Sequence, residues 1–476
     1  MNMQNYSRRS FLKAVGIGAT SLVIEGCVSG SGQSLGRRAA NKPNIIFIVV
    51  DDMGWADLGC YGSRQIKTPN IDKMAAEGVL FTDAYSGCTV CAPARSVLMT
   101  GLHMGHTSVR GNTGGIPLRD QDVTIAEVLK RAGYATGGFG KWGLGDVQTP
   151  GVPEKHDFDE FFGYYHQVHA HDYWTQYLWR NSQKVPMSGE KGSAERYTHN
   201  RIFEQMLKFI RRNKDKPFFC YAPWTPPHGQ YQIPESDPAW QMYKDKSWPR
   251  DARVVAAMDT MIDRHVGELL DLLRELEIDE RTIVFFCSDN GAAKRFDGVL
   301  DSSGPLRGFK RSMYEGGIRV PLIARWPGKT KGGTVSGHVC YFADVMPTMA
   351  DLAGALKYMP ADVDGLSIVP ELTGRADEQK KHEFLYWEWQ LYNWGKNENV
   401  PDGLMQAVRM GKWKAVRHKS NVPFELYDLS SDVGEKNNVA AGHPEIVAKI
   451  EAYIKRDRIE PRDQIEPDKP EGKRFR

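Results

Sequence analysis

Two apolar runs in this chain each end in a pair of oxygen-bearing side chains. Asn44-Ile-Ile-Phe-Ile-Val-Val50 leads directly into Asp51-Asp52-Met53-Gly54, and Thr282-Ile-Val-Phe-Phe-Cys287 leads into Ser288-Asp289-Asn290-Gly291. Continuous runs of this length and β-rich composition read as parallel strands buried on both faces. Carboxylates at the end of such a strand are costly unless something neutralises them. In open α/β sheets ligands sit beyond the carboxyl ends of the strands. Side by side, the two strand ends would offer four side-chain groups to one hard cation. All-oxygen ligation fits Ca²⁺, with Mg²⁺ the lesser alternative because waters would have to complete its shell. Two more strands deliver single polar residues at the same kind of position. Tyr134–Gly140 precedes Lys141, and Pro217–Ala222 precedes His228 across Pro223-Trp224-Thr225-Pro226-Pro227. A fifth segment, Pro305-Leu306-Arg307-Gly308-Phe309-Lys310, brings another lysine.

The reactive centre is a cysteine among small residues, Cys91-Ala92-Pro93-Ala94-Arg95. Pro93 suits the first turn of a helix, where its missing N–H is not needed. Cys91 then lies at a helix N-terminus, which favours anions, and Arg95 adds a cation one turn later. Cys88 and Cys91 also form a CxxC pair, but a redox role leaves both acidic strand ends unexplained.

The full string from Cys91 to Gly101, Cys-x-Pro-x-Arg-x-x-Leu-x-Thr-Gly, resembles the signature of the type I sulfatases. With Asp51-Asp52, Lys141, His228, Asp289-Asn290 and Lys310, the resemblance extends over about residues 43–460. It implies an alkaline-phosphatase-like α/β fold, a central mixed sheet flanked by helices, with a smaller C-terminal α+β subdomain carrying an antiparallel sheet. It implies that Cys91 is oxidised to formylglycine by a formylglycine-generating or equivalent maturation enzyme. Asp51, Asp52, Asp289, Asn290 and the modified Cys91 would hold Ca²⁺. Arg95, Lys141 and Lys310 would contact sulfate, and His228 with Lys310 would protonate the leaving oxygen. This chain departs from the family at two places. Gly143 stands where a histidine usually follows the Lys-Trp pair, so the base that regenerates the aldehyde is unassigned; His106, His169 and His171 are candidates, and solvent is another. Ala94 replaces a small polar residue.

The elements needed to position these groups are legible between them. Pro69 and Asp72 open a short helix over 71–78. Helices follow from about Thr124 to Gly133, Arg196 to Arg212, and Asp251 to Leu276, each with apolar residues on one face. Residues 146–200 read as a loop-rich aromatic insertion. Its His169, His171 and Arg180 are candidate sugar contacts beside Tyr173, Trp174, Tyr177 and Trp179. From about Ala376, short strands at 382–389, 404–417 and 424–429 suggest an antiparallel sheet, followed by a helix over 445–456.

The remaining signals concern address and partners. Ser7-Arg8-Arg9-Ser10-Phe11-Leu12-Lys13 precedes a short apolar run over 14–24, the pattern of a twin-arginine export signal. Cys27 after Gly26 resembles a lipoprotein processing site. The expected organisation is therefore a signal over 1–27, a linker over 28–42, a catalytic domain over 43–375 and a C-terminal subdomain over 376–476. The protein would use twin-arginine export machinery and reside in the periplasm, or be lipid-anchored at a bacterial envelope. With 62 Lys+Arg against 59 Asp+Glu, the net charge of +3 gives no sign of a nucleic-acid partner. The expected substrate is a sulfated carbohydrate. A phosphomonoester or phosphonate hydrolase on the same scaffold, and a non-catalytic sulfated-glycan binder with unmodified Cys91, are the competing readings.

Overall fold

The computed structural model describes residues 42–113, 116–393, 395–396 and 398–462. The expected export signal, Cys27, linker residues 28–41 and the charged tail beyond 462 lie outside the described residues. Its strands are β1 (Asn44–Asp51), β2 (Val79–Phe81), β3 (Ala84–Tyr85), β4 (Ala135–Lys141), β5 (Glu160–Tyr164), β6 (Tyr177–Arg180), β7 (Gln183–Pro186) and β8 (Phe218–Pro227). They continue as β9 (Thr282–Ser288), β10 (Leu322–Arg325), β11 (Thr334–Ser336), β12 (Cys340–Tyr341), β13 (Leu385–Asn393), β14 (Glu398–Met410), β15 (Trp413–Arg417) and β16 (Glu425–Asp428).

Ten of these form one mixed sheet in the order β11-β2-β10-β9-β1-β8-β4-β5-β6-β7. The four strands β9-β1-β8-β4 are mutually parallel and lie at its centre. Antiparallel pairing enters at β10 on one side and at β6 and β7 on the other. A separate four-stranded sheet, β13-β14-β15-β16, is antiparallel throughout and is followed by the helix Pro444–Asp457. This is the expected fold class.

The sequence of β1 explains its place. All eight of its residues are buried. Its side chains alternate between two apolar layers: Ile45, Phe47 and Val49 enter one, Ile46, Ile48 and Val50 the other. The helices Thr198–Asn213 and Arg250–Glu275 pack on the second layer through Ile202, Met206, Phe209, Ile262, Val266 and Leu269. The helices Cys91–Thr100 and Ile125–Arg131 pack on the first through Val97, Leu98, Ile125 and Leu129. Thr124 and Glu127 form a capping box at the start of Ile125–Arg131, which contributes on the order of 1 kcal/mol.

Two expectations are corrected. Residues 146–200 are loop-rich as expected, but three short strands within them, β5, β6 and β7, extend the central sheet. The aromatic cluster is largely the packing of this edge. Tyr165 stacks on Trp179 at 5.2 Å between ring centroids, and Tyr173, Trp174 and Trp179 are buried. β8 also runs on to Pro227 instead of stopping at Ala222. Prolines ordinarily end a central strand. Here the pairing with β4 stops at Tyr221, so beyond that point β8 is hydrogen-bonded to β1 alone.

The C-terminal sheet is joined to the catalytic half by a buried ionic cluster. Lys414 on β15 lies 2.9 Å from Glu315 and 3.2 Å from Glu435, all three side chains fully buried. Tyr85 of β3 donates to Glu315 at 2.6 Å, and Arg319 lies 3.3 Å from it. Burial pushes the Glu315 carboxyl up, but Lys414, Arg319 and Arg409 outweigh it and hold the group below its ordinary value. Replacing Lys414 by Met is expected to destabilise the protein by about 3–5 kcal/mol, because both glutamates lose their buried cation. Chemical denaturation of the variant checks this; a loss below about 1 kcal/mol would show that the cluster does not hold the sheet in place.

Candidate active site

The four parallel strands at the centre of the sheet deliver their C-terminal ends to one edge. β9 supplies Asp289 and Asn290, β1 supplies Asp51 and Asp52, β8 leads into His228, and β4 ends in Lys141. The polar residues separated by over two hundred positions in sequence therefore meet. Adjacent strand residues normally face opposite sides. Asp52 escapes that alternation by adopting φ +67°, and its N–H donates to Asp289 Oδ1 at 3.2 Å. A non-glycine residue in this region carries strain of order 1–3 kcal/mol, which often accompanies functional sites. Lys141 is brought in by a close approach of β4 to β8. Gly140 has φ +141°, and a Cβ there would lie 1.9 Å from Pro223 O, so no side chain fits.

Cys91 is the first residue of the helix Cys91–Thr100, and Arg95 follows one turn later; both are buried. Cys91 Sγ is 3.1 Å from Asp51 Oδ1 and 4.0 Å from Asp52 Oδ1. Lys310 Nζ lies 3.3 Å from Cys91 Sγ and 2.5 Å from Asp52 Oδ1. Its segment is fastened by Lys310 N–H to Ala292 O and Arg311 N–H to Thr89 O, at 2.9 and 3.1 Å. Arg95 binds Asp289 Oδ2 through Nε and Nη2 at 3.0 and 2.7 Å, and donates to Lys141 O at 2.6 Å. Lys141 Nζ donates to Asp51 Oδ2. His228 places Nε2 3.3 Å from Asp52 Oδ2 and Nδ1 3.5 Å from Asp51 Oδ2. Its side chain is 18% exposed, the open side of an otherwise buried group.

Three cations thus face three carboxylates in a buried pocket. Burial raises Asp51, but Lys141, then His228 and Arg95, overcome it and hold the carboxyl well below the usual range. Burial and the charge of Asp51 push Asp289 up to about 7 despite Arg95. Burial, then Asp51, raise the Cys91 thiol well above its ordinary value. Lys310 is raised as well, because Asp52, Cys91 and Asp51 outweigh burial.

The donor set fits a metal ion. One ligand atom from each of Asp51, Asp52, Asp289 and Cys91 lies within 4.8 Å of the others. Asn290 Nδ2 donates to Asp52 Oδ1 at 2.7 Å, while its buried Oδ1 has no hydrogen-bond partner. A buried carbonyl acceptor without a donor, beside three carboxylates, is what a hard cation would satisfy.

The structure separates the other candidates. His171 meets the site: its ring packs edge-on to His228 at 4.4 Å. Gln230 N–H to His171 O and Tyr173 O–H to His228 O hold the two segments together. Burial, then the neighbouring His228 and Lys141, lower His171 well below its usual value. His169 bonds Thr175 Oγ1 at 2.8 Å beneath Tyr164, a packing position. Arg180, on β6, is engaged by Glu160 and Gln205 and is not brought to the cluster. His106 pairs with Asp364 at 2.9 Å and stacks on His103. Cys88 Sγ points to Glu388 O at 3.6 Å whereas Cys91 Sγ points to Asp51 Oδ1, so the two thiols are engaged by different partners.

Sequence reasoning missed Asn112 and Gln167. Asn112 Oδ1 accepts from Ala92 N–H at 3.0 Å and from Gln167 Nε2 at 3.1 Å. Gln167 Oε1 is buried without a partner, beside Gly143 and Arg95: a Cβ on Gly143 would lie 3.8 Å from both. Neither residue belongs to a periodic pattern or motif, so nothing local marked them.

The comparisons with known proteins agree with this geometry. The Sulfatase family matches residues 43–355, and N-sulphoglucosamine sulphohydrolase, C-terminal, matches residues 308–460. Human N-acetylgalactosamine-6-sulfatase is 33% identical over 468 residues, covering 87% of this chain and 85% of that protein. Human arylsulfatase A is 32% identical over 474 residues, covering 87% of each. The crystal structure of Ps i-CgsB in complex with k-i-k-neocarrahexaose superposes with a TM-score of 0.76 at 27% identity, covering 90% of this chain and 95% of the other. On this evidence the chain belongs to the sulfatase family and is a sulfuric ester hydrolase.

Proposed function

We propose that the protein removes sulfate from a sulfated carbohydrate, using formylglycine made from Cys91 and a bound Ca²⁺. The observation that carries this reading is the position of Cys91 Sγ, between Asp51 at 3.1 Å and Lys310 at 3.3 Å. The atom stands where the oxygens of a hydrated aldehyde would be. A thiol raised so far by burial makes a poor thiolate nucleophile. Once formed, the aldehyde hydrate would supply an oxygen nucleophile held by those same two side chains. Asp51, Asp52, Asp289, Asn290 Oδ1 and residue 91 would hold the cation, whose charge would draw electron density from the sulfate.

The chain's own residues do the rest. Arg95, Lys141 and Lys310 balance Asp51, Asp52 and Asp289 in charge, so a divalent ion leaves the pocket positive and suited to a sulfate monoanion. Arg95 is fixed by two bonds to Asp289 and one to Lys141 O, so it presents its charge without reorganising. Lys310, held protonated, bridges residue 91 and Asp52. His228 stands at the partly exposed margin of the cluster, its ring nitrogens 3.3 and 3.5 Å from Asp52 and Asp51, and would be the group that protonates the departing sugar oxygen. Gln167 Oε1 can orient a hydroxyl near Gly143 but cannot take its proton, so position 143 supplies no base.

The carbohydrate assignment draws support from the named action of the human relative on N-acetylgalactosamine 6-sulfate and from the neocarrahexaose held by the structural neighbour. Export to the periplasm or envelope remains part of the proposal and rests on the amino-terminal pattern.

Cys91→Ala is expected to abolish sulfate release, and mass spectrometry of the native Cys91 peptide is expected to show an aldehyde in place of the thiol. A thiol in all of the protein, with saccharide binding but no turnover, would identify a binder. Matched sulfate and phosphate esters should be turned over with a clear preference for sulfate; the reverse preference would make the protein a phosphoester hydrolase.

His228→Ala should lower kcat by about 10²–10⁴-fold on substrates with poor leaving groups. A drop confined to KM would remove its proton-donating role.

Ca²⁺ at a hundred times its Kd should stabilise the protein by about 2.7 kcal/mol. Asn290→Leu should lose most of that gain at the same Ca²⁺ concentration. Equal stabilisation of both proteins would place the ion elsewhere.

A further inference from the structure

A cavity of about 510 Å³ is bounded by the loop 110–113, Arg311, the segment 458–462 and residues of β13 and β14. Two links tie it to the chemistry. Asn112, on its wall, accepts the N–H of Ala92, the residue after Cys91. Arg311, on its rim, follows Lys310, whose Nζ contacts Cys91. Its volume falls in the roughly 300–1,000 Å³ range of small-molecule sites, more room than a sulfate group alone would fill.

The lining has an uneven charge balance. Arg110 and Arg458 are both engaged by Glu388, at 3.0 and 2.6 Å, and Arg458 also binds Glu460. These form a neutralised, fixed floor. Arg311 differs. It is exposed, its guanidinium has no hydrogen-bond or carboxylate partner among the described residues, and its backbone is held at φ +73°. The N–H of Arg311 is anchored to Thr89 O, so the rim position is set by the cysteine loop itself. Trp389 and Tyr392, from β13, line the same cavity. The pairing of β13 with β14 shifts register between Gln390 and Tyr392. Such irregularities re-aim side chains and gather beside binding sites. Asp402 lies on the hairpin and accepts from Asn421 Nδ2 at 3.3 Å.

We propose that this cavity receives the sugar next to the sulfated one, and that Arg311 reads an anionic group, carboxylate or sulfate, on that neighbouring sugar. The proposal rests on the reading of the protein as a carbohydrate sulfatase and names the class of carbohydrate: an acidic oligosaccharide, not a neutral one. An aromatic wall for a sugar face and one unpaired guanidinium for a planar or tetrahedral anion are the two elements such recognition needs.

The test uses three disaccharides that share one sulfated sugar. The neighbouring sugar is neutral in the first, a uronate in the second and sulfated in the third. Binding is measured in the Cys91→Ala background, where no turnover occurs, with and without Arg311→Gln. Before the substitution, one or both acidic compounds should bind about tenfold more tightly than the neutral one, and which of them does so identifies the anion. Arg311→Gln should remove that preference. Equal binding of all three compounds, no binding of any, or a preference that survives Arg311→Gln would overturn the proposal. Sulfate release by the mature wild-type protein from the same compounds is read separately. Absence of release from any of them, with the Arg311-dependent preference intact, would overturn the hydrolase reading and leave the anion subsite standing.

Discussion

Three carboxylates, Asp51, Asp52 and Asp289, share one buried pocket, and the rest of the active centre follows from the need to compensate them. Isolated buried carboxylates are costly enough to protonate or to force rearrangement. Here each is met by a cation: Asp51 by Lys141, Asp52 by Lys310, Asp289 by Arg95. The compensation is incomplete in one respect, because burial and Asp51 together still raise Asp289 to about 7. That residual repulsion, with the unpartnered Asn290 Oδ1, is an electrostatic demand that a divalent ion would answer. Cys91 sits at the edge of this pocket, so whatever chemistry it performs takes place in a field set by the cluster.

The fold makes the cluster possible by arranging four parallel strands, β9-β1-β8-β4, side by side. Parallel strands all present their C-terminal ends to one edge, where backbone pairing stops and side chains are free to converge. The layers of helices on both faces bury most of that edge and leave His228 and Lys310 partly exposed, at 18% and 10%. The two residues that do not arrive on strands, Cys91 and Lys310, are tied to the same edge by backbone bonds. Arg311 N–H to Thr89 O and Lys310 N–H to Ala292 O lock the lysine segment to the cysteine loop and to the end of β9. On the far side, the Lys414–Glu315–Glu435 cluster fixes the antiparallel sheet whose β13–β14 hairpin walls the adjoining cavity.

Most of this centre was legible in the sequence because it obeys strand logic. An apolar run ending in Asp51-Asp52 and another ending in Asp289-Asn290 stand out by composition, whereas Lys141, after the glycine-rich stretch 134–140, gains its meaning from the resemblance. The sequence pattern failed where tertiary context overrode local signals. Pro223 argued for a strand end, yet β8 continues because only one neighbour requires hydrogen bonds from it beyond Tyr221. The aromatic stretch around Tyr173 and Trp179 suggested a sugar platform, whereas those rings pack the edge of the sheet. Arg180 looked available and is held by Glu160 and Gln205. Asn112, Gln167 and Arg311 were invisible because their importance comes from distant loops meeting. No period or motif encodes that.

The most direct test of the account is a high-resolution crystal structure of the mature protein grown with Ca²⁺. The account predicts an ion with oxygen ligands from Asp51, Asp52, Asp289, Asn290 and residue 91 at about 2.3–2.6 Å. It also predicts electron density at position 91 for an oxygen-bearing side chain. An unmodified thiol there, with no ion among the three carboxylates, would contradict it.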